Sequence, residues 1–221
     1  MQSYAEPKKK KGVIIGCSKG NIGSEIFNYL VEKGHHVVEN SVICENDNLL
    51  VISSGCSELG WIGDGLERMD HVRNANFSVP VDRIEKFVAL TKDNKEVKRI
   101  IIIGSMAYNN VLNGSSVYCA TKAAINQYAK CAAYELAKYG YLVTVINPGN
   151  VLDTPMTTKV KEQLCILHDL NPHDAEDYWG KVNNLGEFIT KRDIAKMVKF
   201  LLKPEARFLS GSSLDLRGSN R

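Results

Sequence analysis

Apolar residues in this chain gather into short unbroken runs, with segments of helical spacing between them. "GVIIG" (12–16), "NLLVISSG" (48–55) and "VKRIIIIGS" (97–105) are continuous runs rich in isoleucine, valine and leucine, the mark of strands covered on both faces. "HHVVEN" (35–40) is shorter and more polar, as a strand with an open side would be. "YLVTVINPG" (141–149) and "SSLDLRG" (212–218) predict two further strands. Residues 21–33 carry an apolar stripe at helical spacing and stop at Gly34, a helix-ending signal. Residues 79–92, the alanine-rich stretch Ser116–Lys130 and residues 191–202 predict three more helices, whereas 150–188 shows no clean period. Strand and helix alternate, which predicts an α/β fold: a doubly wound parallel sheet flanked by helices. In such a sheet ligands sit at the carboxyl ends of the strands.

Length and charge narrow the picture. A chain of 221 residues can bury one core, with residues 1–11 as a basic N-terminal tail and 12–221 as a single domain. The formal charge is +3 and much of it lies in Lys8–Lys11, a run that suits a solvated tail or an acidic partner. Nothing else forms a basic stripe, so no nucleic-acid partner is expected. Six cysteines are scattered with no CxxC or Cys/His cluster, which predicts reduced thiols and no metal site. No apolar run reaches membrane-span length and the N-terminus is too polar for a signal peptide. The expectation is a cytoplasmic protein without a membrane partner.

Two stretches carry candidate chemistry. In "SSVYCATKAAINQYAK", Tyr118 and Lys122 are four apart on a helix and share a face. Cys119, Ala120, Ala123 and Ala124 are expected to give that pair a small-residue wall on the inner side. The pair reads either as a core tyrosine with a snorkelling lysine or as a phenol tuned by an ammonium. "GCSKGNIG" follows the first strand and opens the first helix. Gly16, Gly20 and Gly23 let the backbone approach a pyrophosphate at the helix start; the plain alternative is a tight strand–helix connection.

With these residues in view the chain resembles the short-chain dehydrogenase/reductase family. Tyr118 and Lys122 match its YxxxK pair, and Ser105 stands thirteen residues before the tyrosine at a strand end. "NPGNVLDT" (Asn147–Thr154) resembles the family's Pro-Gly segment, "NANFSVP" its Asn-containing helix start, and "FLSGSSLDLRGSN" its closing loop and strand. The resemblance implies a Rossmann-like NAD(P)-binding domain that interconverts a carbonyl and a secondary alcohol of a small molecule by hydride transfer. It implies a catalytic set of Asn76, Ser105, Tyr118 and Lys122, and pairing through the Tyr/Lys helix as a homodimer or homotetramer. The cofactor would rest on Gly16, Ser18, Lys19, Gly20, Ile22, Gly23, Glu39, Ser41, Ser54 and Gly55 on one side. Tyr118, Lys122, Pro148, Gly149, Val151 and Thr154 would hold the other side.

The chemistry is coherent. A free phenol has a pKa of about 10, and a nearby ammonium is expected to lower it so that Tyr118 exchanges a proton with the substrate oxygen. Ser105 would hold the same oxygen. Pro80 has no N–H to offer the Asn76 carbonyl, which reads equally as a carbonyl free to hold a relay water or as an ordinary kink.

The first half departs from the family. Only "SVICEND" (41–47) separates the second and third strands, so a strand–helix unit of roughly 30 residues is missing. These residues reach about 3.3 Å each, enough to cross the sheet once without a helix. The expectation is a sheet lacking the usual third strand and its helix, with the second strand as an edge and an open shelf for the adenine. The family's Asn-Asn-Ala-Gly reads Ile52-Ser53-Ser54-Gly55. The ribose-reading position falls on Ser41; Glu39 nearby favours NAD, while Lys19 favours NADP. The expected cofactor is NADP or NAD, with NADP favoured because no acid occupies the usual position. Residues 152–188 are expected to form a lid. Two competitors remain: a non-catalytic dinucleotide-binding regulator and a subunit of a hetero-oligomer.

Overall fold

In the computed structural model, six strands form one parallel sheet: β1 (Lys11–Ile15), β2 (His36–Glu39), β3 (Leu49–Ile52), β4 (Lys98–Ile103), β5 (Tyr141–Pro148) and β6 (Ser213–Leu216). Their order is β2-β1-β3-β4-β5-β6. The structure describes residues 10–40, 42–64, 67–179, 185 and 187–218, with backbone alone at 68 and 176–179. Ser41 and nearly all of the basic tail therefore lie outside the described residues.

The helices are α1 (Ile22–Glu32), α2 (Glu67–Arg73), α3 (Val79–Thr91), α4 (Ser116–Leu136), α5 (Pro155–His168), α6 (Pro172–Trp179) and α7 (Lys191–Leu201). Every residue of β3 and β4 is buried, as expected of unbroken apolar runs. Period-two alternation sends Ile14, Leu49, Val51 and Ile101 to one face, where α1 and α7 pack with Ile26, Leu30, Ile194 and Val198. Val13, Leu50, Ile52 and Ile100 face the other way, against Ile84 and Phe87 of α3 and Ile125 and Ala129 of α4.

The shortened connection behaves as the residue count required. β2 pairs with β1, which in turn pairs with β3. The chain passes between β2 and β3 without a helix, and Ile43 is buried among the α3/α4-side cluster. Asp47 accepts from the Cys44 N–H at 2.7 Å, and Asn48 Oδ1 accepts from the Lys11 N–H at 3.1 Å. The crossing is thus tied to the start of β1.

Two sequence expectations change. Residues 150–188 hold α5 and α6; Met156, Val160, Leu164 and Leu167 do follow helical spacing, behind a Thr154 cap and Pro155 in the first turn. The charged residues between them hid the stripe. The small-residue wall is corrected as well: Ala120, Ala123 and Ala124 are exposed. At about 100° per residue they lie on the side of α4 opposite Tyr118. The inward face carries Thr121, Lys122, Ile125, Asn126, Ala129, Ala132 and Ala133. Among the described residues no helix is long and apolar enough to cross a membrane, and no cluster of three His, Cys, Asp or Glu could hold a metal.

Candidate active site

The carboxyl ends of β3, β4 and β5 and the start of α1 open on one cavity of about 550 Å³. Beside the cavity, at the turn into α1, Gly16 takes φ +88, and a Cβ there would lie 2.3 Å from the Ser54 nitrogen. Only glycine lets these strand ends meet. Asn21 caps α1 by accepting from the Ser24 N–H at 3.0 Å, and its Nδ2 donates to the Gly16 carbonyl at 2.6 Å and to Ser18 Oγ at 2.7 Å. The helix start leaves its foremost amides for an anion.

The residue that reaches this turn from β2 is Asn40, which the sequence reading passed over. Its φ is +44, a conformation asparagine tolerates. Its Oδ1 accepts from the Gly16 and Cys17 N–H groups at 2.8 and 3.2 Å, and its Nδ2 donates to the Cys17 carbonyl at 2.6 Å. Glu39 and Lys19 are both exposed. Burial, aided by the Glu39 charge, pushes the Cys17 thiol up to about 12, so it stays a neutral packing group. Lys191, at the start of α7, donates to the Gly20 carbonyl at 3.0 Å and the Asp153 carbonyl at 2.7 Å, joining the glycine turn to the loop after β5.

At the other end Ser105 stands extended just past β4. Its N–H donates to Asn147 Oδ1 at 3.2 Å. Buried Asn147 and Asn126 exchange two amide hydrogen bonds at 3.1 Å, and Asn126 Nδ2 also donates to the Lys122 carbonyl at 2.9 Å. Asn147 Nδ2 donates to Asp215 of β6 at 3.3 Å. This amide network locks the end of β4 to α4 and β6. Ser105 and Tyr118 line the cavity together, and Lys122 Nζ lies 5.6 Å from the Tyr118 ring centre.

Asn76 and Gly55 complete the convergence. Asn76, 1% exposed, donates to the Cys56 carbonyl at 2.9 Å and to Thr121 Oγ1 at 3.1 Å, and accepts from the Cys56 N–H at 2.8 Å. It sits in a π-helical turn, Asn74–Ser78, where the Val79 N–H reaches back to Asn74. Such a widened turn just ahead of Pro80 is a frequent companion of functional sites. A Cβ on Gly55 would lie 2.7 Å from Asn76 Oδ1 and 3.2 Å from Lys122 Nζ. Asn76, Gly55 and Lys122 therefore meet at one point. Pro148, Gly149, Val151 and Thr154 line the opposite wall with Ile22. The Thr154 hydroxyl accepts from the Thr157 N–H at 3.0 Å and so caps α5.

The electrostatics overturn one expectation. Burial raises the Tyr118 pKa, and the Ser105 hydroxyl offsets this only in part. Burial also pushes Lys122, 4% exposed, down to about 8. Desolvation disfavours both charged forms and outweighs the attraction expected between phenolate and ammonium.

Whether a dinucleotide suits these residues is testable on the cavity itself. The Ser53 and Ser54 hydroxyls line it and are buried without a hydrogen-bond partner among the described residues. Together with the glycine turn they offer donors where a ribose and pyrophosphate need them. The residues fit the group.

Ser105, Tyr118 and Lys122 thus line one pocket at the carboxyl edge of a parallel sheet. The chain belongs to the short-chain dehydrogenase/reductase family and is an NAD(P)-dependent enzyme of it. The family profile described as "Enoyl-(Acyl carrier protein) reductase" matches residues 63–218. A 3-oxoacyl-[acyl-carrier-protein] reductase of Haemophilus influenzae is 28% identical, over 98% of this chain and 91% of that protein. An actinorhodin polyketide ketoreductase variant solved with NADPH superposes with a TM-score of 0.83, at 20% identity over 97% of this chain and 98% of the other. A 4-hydroxyisoleucine dehydrogenase complexed with NADH gives 0.79, at 18% identity over 94% and 96%.

Proposed function

We propose that the chain reduces a ketone or aldehyde of a small molecule to an alcohol, and runs the reverse reaction, with Tyr118 as acid and base. The convergence of Ser105, Tyr118 and Lys122 on one cavity supports this reading above all else. At neutral pH the raised phenol keeps its proton, ready to give it to a carbonyl oxygen held by the Ser105 hydroxyl. Lys122 carries positive charge beside it and, by family resemblance, bonds the nicotinamide ribose. Asn76 holds the backbone at Cys56 and so keeps Gly55 close against Lys122. The nicotinamide, when bound, supplies or accepts the hydride.

Gly16, Ser18, Gly20, Ile22 and Gly23 would bind the pyrophosphate, Ser54 and Gly55 the nicotinamide-side ribose, and Pro148, Gly149, Val151 and Thr154 the nicotinamide. NADP is the favoured cofactor through Lys19, with Glu39 as the counterweight towards NAD. A solved neighbour carries NADPH and another NADH, which supports either dinucleotide in this fold. Pairing of two or four copies through α4 is supported by its exposed Ala120, Ala123 and Ala124 and by Tyr134, 88% exposed. All six cysteines are free thiols, which supports a reducing, cytoplasmic setting. A non-catalytic regulator would have no use for a buried ammonium beside a phenol.

Titration of the purified chain with NADPH and NADH, followed by a ketone and aldehyde panel, tests the proposal. Saturable cofactor binding with carbonyl-dependent oxidation of one dinucleotide is expected. Binding without oxidation across the panel would reject catalysis.

A further inference from the structure

Three segments enclose the substrate end of the cavity, and each brings aliphatic side chains to it. Leu59 lies on the loop after β3, Leu112 on the loop before α4, and Met156, Val160 and Leu164 on α5. All five are aliphatic. Among the described residues lining the cavity, Lys122 is the only charged one. It stands beside Tyr118 at the far end. The polar side chains near these segments, Ser57, Asn113, Ser115, Asn150 and Thr157, are all uncharged, and the Thr157 hydroxyl is spent on the Val151 carbonyl at 2.7 Å.

The charges that come near are used elsewhere. Lys159 of α5 pairs with Glu58 at 3.1 Å, and both point out of the lining. That pair belongs to a clasp joining the three segments. Leu59 N–H donates to Gln163 Oε1 at 3.2 Å, Gly60 N–H donates to the Gly114 carbonyl at 2.9 Å, and the Trp61 and His168 rings meet edge-on at 5.5 Å. The apolar character continues outward on the same segments, where Ile62 is 90% and Val111 97% exposed. Val111 also lines the cavity, so apolar surface runs from the pocket wall out to solvent there.

We infer that the substrate is an uncharged carbonyl compound with an apolar body, seated against Leu59, Leu112 and the inner stripe of α5. This rests on the oxidoreductase reading above and narrows it. A carboxylate or phosphate carried to this wall would lose its water and meet no counter-charge. A sugar would leave most of its hydroxyls unpaired there. The aliphatic stripe instead takes up alkyl or aryl surface, whose burial supplies affinity without directional partners.

The test uses the purified full chain and a matched pair: methyl hexyl ketone, and the same ketone with a carboxylate at the far end of its chain. The reacting carbonyl is the same in both. Binding is read by ligand-observed NMR, turnover as kcat/KM, with fructose as the polyhydroxylated control. The neutral ketone should exceed the acid by about a hundredfold or more in kcat/KM, the cost of an unpaired buried charge, with fructose near background. Val160→Arg should lower that ratio by about tenfold or more, mainly by raising KM for the neutral ketone. Equal or better use of the acid or of fructose overturns the inference, as does failure of the neutral ketone to bind. Saturable binding of the neutral ketone in preference to the acid, with neither turned over, upholds the pocket's selectivity and rejects the oxidoreductase reading instead.

Discussion

At the catalytic end of the cavity, Ser105, Lys122 and Asn76 are each held by bonds to elements that belong to the interior. Asn147 and Asn126 tie β4, α4 and β6 together, and Asn76 ties the end of β3 to α4. At the glycine turn, Asn21 and Lys191 supply bonds from α1 and α7, and the β2 side is braced by Asn40 at the end of a four-residue edge strand. The matching family profile follows the same division, spanning 63–218 and leaving the glycine turn and β2 outside. The contrast explains how a whole strand–helix unit can be missing without disturbing the cluster of Ser105, Tyr118, Lys122 and Asn76. The arrangement of Ser105, Tyr118, Lys122 and Asn76 depends on contacts among the end of β3, β4, α4, β5 and β6, whereas the missing unit would lie beyond β2 in this order of strands. The adenine end loses a neighbour for β2 and keeps only the crossing at 42–47.

If the catalytic end is intact, its chemistry should fail outright when one atom is removed. Tyr118→Phe is expected to lower kcat by roughly 10²–10⁴ while cofactor affinity stays within about twofold, since the ring still packs. Stopped-flow turnover and cofactor titration check this, and a variant retaining a few per cent of the rate would end the role given to the phenol.

The same end should also store instability. Lys122 has its pKa pushed from 10.5 down to about 8, so between those values the unfolded chain binds more protons than the folded one. The penalty is fully present below about pH 8, fades as pH rises from there towards 10.5, and is gone above 10.5. Lys122→Met should therefore be inactive yet more stable at pH 7, by up to ~3 kcal/mol, with the gain shrinking towards pH 10. Urea unfolding at several pH values reads the sign directly; a variant less stable at pH 7 contradicts it.

The adenine end makes smaller claims. Asn40→Ala removes three hydrogen bonds and leaves a Cβ residue at positive φ, which should cost about 1–2 kcal/mol of stability and weaken both dinucleotides. An unchanged melting temperature would mean that the glycine turn stands without Asn40. Lys19→Ala should weaken NADP about tenfold more than NAD, the size of one charge-assisted bond to a 2′-phosphate. Equal losses would make Lys19 a surface charge. The smallest effect is expected from the base itself. On an open shelf, replacing adenine with another base should change the dissociation constant less than about threefold, and the intact dinucleotide should bind in the upper micromolar range. Calorimetry giving a submicromolar constant that collapses without the adenosine half would reveal an adenine pocket.

Local order along the chain was enough to read much of this molecule. Apolar runs marked β1, β3, β4 and β5 because a strand covered on both faces has no polar position to spare. A helical period of 3.6 put Tyr118 and Lys122 on one face, and a count of seven residues excluded a helix between β2 and β3. Other features depend on residues far apart in sequence, and only the packed chain decides them. Asn40 meets Gly16 across 24 positions, Asn147 meets Asn126 across 21, and Lys191 reaches Gly20 across 171. The aliphatic stripe of α5 was present in the sequence, but its charged outer residues masked the period until the cavity gave it an inside. The direction of the Tyr118 and Lys122 shifts was beyond sequence for the same reason. Spacing sets how near two charges lie, whereas burial, set by every segment that closes over them, decides what those charges cost.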